Sequence, residues 1–501
     1  MEILISALRF IWVLFLVLMV FNLMIVVHEW GHFLAGRWRG LVIDRFQIWF
    51  GKPIWKKTYN GVQYGLGTIP FGGFVSLPQM APMEAIEGDT SDEVKKEPLP
   101  PISPLDKIIV AFAGPLFSFL LAVFFAVIVW AVGKPVPDEK TAKVAGYVFD
   151  DSPAAEAGIK AGDEILSVDG QPVQRIHGMI ESVDWYVISS EKEVVDFKVK
   201  RDGQEMTLPV KIPRGKTEEE KEEEAKRTFL VKVRDFVFKR TPLPHIGLFG
   251  RETPRVGKVT PFSPAEEAGL KPGDLILAID GTPTLHSMQV SDYARKKKEG
   301  DAIRLMIERD GNSSEVAVYP RLPEKRPKEL DYPLMGIAWD TFGKGDIIHP
   351  SAFAQVSEAL TMMKGTLTAI ASPKSNVNVT HLSSAVGIMR LYYRLFEHPD
   401  GWQLVLWFSV ILNVNLAVLN LLPFPVLDGG HIVMSLLEMI RRKPVNLRVL
   451  EVVQTTAVVL LLGLMVMLVF KDVGDIAADS TGGSSIEFLP KDATAEPAKA
   501  P

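Results

Sequence analysis

The stretch Met24-Ile25-Val26-Val27-His28-Glu29-Trp30-Gly31-His32-Phe33-Leu34 decides how this chain is read. An apolar run of 18 residues, Phe10 to Val27, broken only by Asn22, passes directly into His-Glu-x-x-His. Two histidines four residues apart on a helix sit about 40° apart around its axis, so both imidazoles can reach one ion. The glutamate after the first histidine then points close to a water on that ion, where a general base belongs. The run is long enough to span a bilayer. Charged and metal-binding groups at its end are costly there and mark a functional position. A cleaved signal peptide is the competing reading; no small-residue cleavage site follows, and the histidines overlap its end.

Composition agrees with a membrane setting. A chain of 501 residues exceeds one core, and 47% hydrophobic residues alongside 23% charged ones fit a membrane protein with soluble parts. The net charge of -5 leaves no footprint for nucleic acid. With no cysteine, disulfides and thiol chemistry are excluded, and a zinc site must come from His, Asp or Glu.

Three further spans are expected: Ile108 to Val132, which contains Ala113-Gly114-Pro115, Leu404 to Leu427, and Val449 to Phe470. The third carries Asn413, Asn415, Asn420, Pro423 and Pro425 before Asp428-Gly429-Gly430. That is more polarity and breakage than lipid contact tolerates, and the prolines should open the helix end. Asp428 offers the oxygen ligand that two histidines lack, although an aspartate there could instead cap a helix. His431 is an alternative ligand, but Asp428 comes from the more distorted stretch. His177, His245, His286, His349, His381 and His398 read as ordinary surface or core residues.

Between the first two spans, residues 41–77 change to short β-like segments, with Asn60-Gly61 as a type I′ hairpin signal. Pro70-Phe71-Gly72-Gly73-Phe74-Val75 is the expected edge strand, because paired glycines permit close backbone approach. After the second span, SPAAEAGIKAGDEILSVDGQPV from Ser152 realigns with SPAEEAGLKPGDLILAIDGTPT from Ser263, with 14 of 22 positions identical. Each copy reads as a Ser-Pro-capped helix, a Gly-Asp turn, a strand and an Asp-Gly hairpin, and resembles the core of PDZ domains. Such modules bind extended peptide ends by strand addition, or serve only as spacers or size filters.

The expected organisation is a multi-pass α-helical membrane protein with a membrane-associated β-hairpin or sheet and two tandem PDZ-like α+β domains. Its pieces are a membrane core at 1–135, PDZ-like domains at 136–213 and 241–323 around a charged linker at 214–240, a connector with amphipathic helices at 324–400, a second membrane part at 401–470 and a disordered tail at 471–501. Residues 82–105 read as an acidic, proline-rich linker. In the connector, Ser351 to Ile370 has helical spacing that suits either a membrane surface or soluble packing. Short loops rich in Lys and Arg lie inside: Arg37, Arg39, Lys56, Lys57 and Lys107 in one, Arg441 to Arg448 in the other. Alternating spans then put the repeats outside, and the histidine pair and Asp428 near the cytoplasmic ends of their helices.

HEWGH in the first span, AGP in the second, the two PDZ-like repeats and NLLPFPVLDGG in the third together resemble the site-2 protease family of intramembrane zinc metalloproteases. The resemblance runs from the first span to the fourth and leaves out the charged insert and the tail. It implies that His28, His32 and Asp428 hold one zinc ion and that Glu29 is the catalytic glutamate. Asn415, Asn420, Pro423 and Pro425 match positions for substrate handling, and Gly72, Gly73 and Phe74 match a membrane-embedded β-loop. The implied substrates are single-pass membrane proteins of the bacterial inner membrane, such as an anti-sigma factor after a first outside cut, and signal-peptide remnants. Peptide C-termini are the implied partners of the PDZ-like domains. Two departures stand out: Ser118 replaces the family's Asn after AGP, and residues 382–388 read LSSAVGI instead of LSGPxGI. Neither is expected to touch the ligands. The competing reading is a membrane-anchored PDZ scaffold or receptor with a non-catalytic metal site; a retained Glu29 argues against it, because structural zinc sites need no base.

Overall fold

The computed structural model describes the chain except residues 1, 81–99, 101, 137–141, 214–225, 328–329, 341–345, 399–400, 444–446, 484–485 and 490–501. Most of the linker expected at 82–105, and residues 214–225 of the charged linker expected at 214–240, fall outside these described residues. Two compact units emerge: Met1–Lys134, Ile348–Lys364 and Ser383–Phe470 form one, and Pro135–Ile347, Gly365–Leu382 and Lys471–Pro501 the other.

Helix α1 (Glu2–Arg39) carries the first apolar run and ends at Gly40, whose φ of 72° suits glycine. A four-stranded sheet follows: β1 (Arg45–Phe50), β2 (Trp55–Tyr59), β3 (Val62–Leu66) and β4 (Ile69–Ser76), in the order β2-β3-β1-β4. Asn60 and Gly61, between β2 and β3, have φ of 48° and 79°, the left-handed pair a type I′ turn needs. β4 pairs antiparallel with β1, and among the described residues no strand pairs with its other side. A register shift between Ile48 and Phe50 puts Trp49 at φ 68°, and its indole Nε1 donates to Asn22 Oδ1 at 2.6 Å. The one polar break in the first span is therefore where the bulged strand is pinned to α1. Helix α2 (Pro104–Val132) starts with a Ser103/Asp106 capping box. It packs tightly on α1, because a Cβ at Gly31 would lie 2.4 Å from the Ala113 carbonyl oxygen.

The second unit holds two modules built alike. In the first, β5 (Ala145–Val148) leads to the short helix α3 (Pro153–Glu156), then β6 (Glu164–Val168), β7 (Gln171–Pro172), α4 (Val183–Ser189), β8 (Val194–Arg201) and β9 (Gln204–Lys211). Helix α5 (Phe229–Phe238) comes next, and β10 (Leu248–Gly250) returns to pair with β5. The second repeats this order as β11 (Val256–Val259), α6 (Pro264–Glu267), β12 (Leu275–Ile279), β13 (Thr282–Pro283), α7 (Ser287–Arg295), β14 (Ile303–Arg309) and β15 (Asn312–Val318). It closes with β16 (Ile337–Trp339) on β11. A buried aspartate anchors each copy: Arg201 grips Asp163 at 2.7 and 2.7 Å, and Arg309 grips Asp274 at 2.6 and 2.6 Å. The closing strands shift the expected boundaries. β10, placed by the repeat in the second domain, belongs to the first, whose core takes Ile246 and Leu248. β16, placed in the connector, belongs to the second, whose core takes Met335.

The chain then returns to the first unit. The start of helix α8 (Ala352–Ala371) buries Val356 and Ala359 against the membrane-type core, and Gln355 Nε2 donates to the Ala126 carbonyl in α2 at 2.9 Å. Helix α9 (Ala385–Glu397) sends the Tyr392 hydroxyl to Ser409 Oγ at 2.8 Å. Ser409 lies on α10 (Gly401–Asn420), which ends seven residues before the expected Leu427. The reason is local: proline at 423 and 425 cannot supply helix donors, and residues 421–427 turn to start α11 (Asp428–Arg441). Helix α12 (Leu447–Gly483) corrects the first part of the expected tail, residues 471–483, whereas 484–485 and 490–501 lie outside the described residues. It continues past Phe470 for four more turns, because Lys471 and Asp472, each 3% exposed, have partners in the second unit. Among the described residues, four helical segments are long and apolar enough to cross a membrane: Ala7–Arg39, Pro104–Val132, Gly401–Asn420 and Leu450–Ala478.

Candidate metal and catalytic site

Three helices of the first unit bring the site together. α1 presents His28 and His32 on one face, and α11 presents Asp428 from its first turn. The Nε2 atoms of the histidines lie 3.3 Å apart. Asp428 Oδ2 is 3.3 Å from His28 Nε2, and Asp428 Oδ1 is 3.4 Å from His32 Nε2. Atoms bound at about 2.0–2.1 Å around a tetrahedral centre are separated by just such distances, so these donors fit one zinc ion. Among the described residues, His28, His32 and Asp428 alone gather in this way. His431, the alternative ligand, is outside the cluster although its Nε2 is buried without a hydrogen-bond partner. Asp428 does not cap its helix, since the N-cap residue is Leu427.

Helix α2 fixes how the imidazoles point. His32 Nδ1 donates to the Val110 carbonyl at 2.8 Å, leaving Nε2 free to act as a ligand. His28 Nδ1 shares a 2.9 Å hydrogen bond with Ser118 Oγ, and Ser118 is fully buried. The expectation that the Ser118 departure stays clear of the candidate ligands is thus wrong: it orients the His28 ring. Between the two contacts sits Gly114, where a Cβ would lie 2.2 Å from His32 Nε2 and 2.8 Å from His28 Nε2. The AGP motif of the second span is therefore the floor beneath the two imidazoles. Nothing in the spacing of Val110 or Ser118 advertises their roles, because they act across 78 and 90 residues.

The remaining residues singled out by sequence divide. Gly73 lies against Glu29, with its would-be Cβ 3.7 Å from Glu29 Cγ. Phe74 instead stacks on Phe50 at 6.4 Å, and a Cβ at Gly72 would strike that same Phe50 ring. On α10, Asn413 is buried, with Nδ2 donating to the Ser409 carbonyl at 2.8 Å. The side-chain oxygens of Asn413 and Asn415 are buried without partners. Asn420, Pro423 and Pro425 form the turn into Asp428, whose neighbours must be glycines. A Cβ on Gly429 would lie 2.3 Å from the Leu421 carbonyl, and one on Gly430 2.2 Å from that of Phe424.

This geometry is met by a match of residues 15–464 to the family model for peptidase family M50. The chain belongs to peptidase family M50. It is accordingly a zinc metalloprotease of the site-2 type, which decides against the scaffold reading. It is similar to the regulator of sigma-E protease RseP of Escherichia coli K12, 28% identical over 481 residues that cover 93% of this chain and 99% of that one. It is also similar to the regulator of sigma E protease of Salmonella typhimurium LT2, 26% identical over 481 residues, with 93% and 99% covered. Among solved structures, the PDZ domain of an SdrC-like protein from Listeria monocytogenes matches at 25% identity, covering 18% of this chain and 87% of that domain, with a TM-score of 0.16.

Proposed function

We propose that this M50 protease cuts the transmembrane segments of single-pass membrane proteins in the bacterial inner membrane, with one zinc ion held by His28, His32 and Asp428. The convergence of those three donors inside a helix-packed core carries the reading. Zinc supplies Lewis acidity there, polarising water and the scissile carbonyl. Glu29 takes the proton of the attacking water and hands it to the leaving amide nitrogen. A membrane helix hides its peptide bonds in internal hydrogen bonds, so it must be unwound before water reaches them. The free side of β4, with Gly73 against Glu29, suits an extended substrate added as a further strand. The unpartnered oxygens of Asn413 and Asn415 suit substrate N–H groups, since a buried acceptor left unpaired costs about 1–3 kcal/mol. The relatives are named for regulating sigma-E, and an anti-sigma factor, the class the family resemblance implies, is the proposed substrate. Loop charges favour the PDZ-like modules on the periplasmic side, where they take peptide ends exposed by a first cut.

The test compares full-length wild type with Glu29→Gln in membranes of the source cell, with accumulating fragments identified by mass spectrometry. The variant should keep its zinc and accumulate single-pass fragments that the wild type clears. Zinc retained with no difference in fragments would refute the reading.

A further inference from the structure

Helix α5 lies in the insert between β9 and β10 and takes no part in the site. At about 100° per residue, Phe229, Leu230, Val233 and Phe236 fall on one arc of roughly 120°. Instead of packing inward, they are 77%, 78%, 43% and 72% exposed. The polar flank is basic, with Lys232 and Arg234 in the open.

What covers this face is indicated by how the helix is tethered. Lys471 Nζ donates to the Phe236 and Lys239 carbonyls, both at 2.8 Å, closing the orphan acceptors at the end of α5. A Cβ at Gly474 would lie 2.3 Å from the Phe238 carbonyl oxygen, so α12 and α5 touch backbone to backbone. Arg240 binds Asp472, and Asp475 at 2.8 Å. Lys471 directly follows Phe470, the end of the apolar run in α12. The tether therefore holds α5 at the level where a span gives way to water. An apolar arc with basic neighbours at that level matches an interfacial helix on anionic lipid.

We propose that α5 is a membrane-surface anchor, seated in the headgroup region of the bilayer through Phe229, Leu230, Val233 and Phe236. It ties the first PDZ-like module to the lipid surface beside α12. The absence of native cysteines makes the test direct. Leu230→Cys, Val233→Cys and Lys232→Cys are made singly in the full chain, labelled with a fluorophore and reconstituted in phosphatidylethanolamine/phosphatidylglycerol vesicles. Lipids with brominated acyl chains should quench the labels at 230 and 233 several-fold more than the label at 232, and aqueous iodide should show the reverse order. Two labels are used so that one misfolded variant does not decide the outcome. Equal quenching of all three by iodide would overturn the proposal, as would shielding of 230 and 233 that ignores brominated lipid and disappears when the protein is diluted in the vesicles, the sign of a second copy.

Discussion

Ser118 Oγ on α2 and His28 Nδ1 on α1 are joined across 90 residues by a 2.9 Å hydrogen bond. This contact holds the ring so that Nε2 faces Asp428, 3.3 Å away. One of the two departures from the family pattern is thus in contact with a candidate metal ligand.

Removing that hydroxyl should loosen the ring without unfolding the helices. Ser118→Ala is expected to lose about 10–100-fold in zinc affinity, the usual effect of deleting a partner behind a ligand. Ser118→Asn, which restores a polar side chain, should keep most of it. Competition against a chelator of known affinity measures both; an alanine variant that matches wild type would remove the role assigned to Ser118.

Gly114 leaves no room for any side chain. The Cβ of Gly114→Ala would occupy the space beside both Nε2 atoms, forcing the imidazoles apart by an ångström or more. Misplacement on that scale costs about 10²-fold in activity. Metal analysis of the purified variant should also show lost zinc, with helicity by circular dichroism unchanged.

Acid should weaken the second unit. His177, His245 and His286 surround Phe249, with ring centroids at 6.2, 5.0 and 5.2 Å. Each accepts a backbone N–H at a ring nitrogen: Gly250 to His177 Nε2, Gly247 to His245 Nδ1 and Met288 to His286 Nδ1. An imidazolium with both nitrogens protonated cannot accept. Burial is the main force holding His245 and His286 below the usual histidine range; the nearby Asp184 and Glu252 carboxylates oppose it, and His177 adds to it. A depressed histidine binds more protons when unfolded, so stability is full above the ordinary histidine pKa and is lost as pH falls below it. The melting temperature of the full chain should drop between pH 7.5 and pH 5, at roughly 2–4 °C per kcal/mol. The double variant His245→Gln/His286→Gln should flatten that drop; an unchanged slope would clear these two residues of the effect.

Much of the molecule is legible in order along the chain. His28 and His32 are readable because helix geometry alone puts residues four apart on one face. The repeat is readable because both copies keep the same caps and turns, down to Gly158 and Gly269. The extent of each module is not, because β10 closes on β5 from about 100 residues away and β16 on β11 from about 80, in both cases onto an earlier strand and through hydrogen bonds that carry no side-chain signature. The helix beyond Phe470 is hidden for a related reason. Its Gly/Ser/Ala composition looks disordered, and its order comes from Lys471 and Asp472 binding partners more than two hundred residues away.

By itself, then, the sequence singled out the candidate ligands, the glutamate between the two histidines, the apolar spans and the place of Asp428 after a broken helix. These are local properties, set by periodicity, proline and the cost of charge in lipid. Tertiary structure alone decided that Asp428, rather than His431, meets the histidines, that Gly114 floors the cradle, and that Val110 and Ser118 aim the rings. Those facts depend on the close crossing of α1, α2 and α11, and contact distances between helices are fixed only when all three pack.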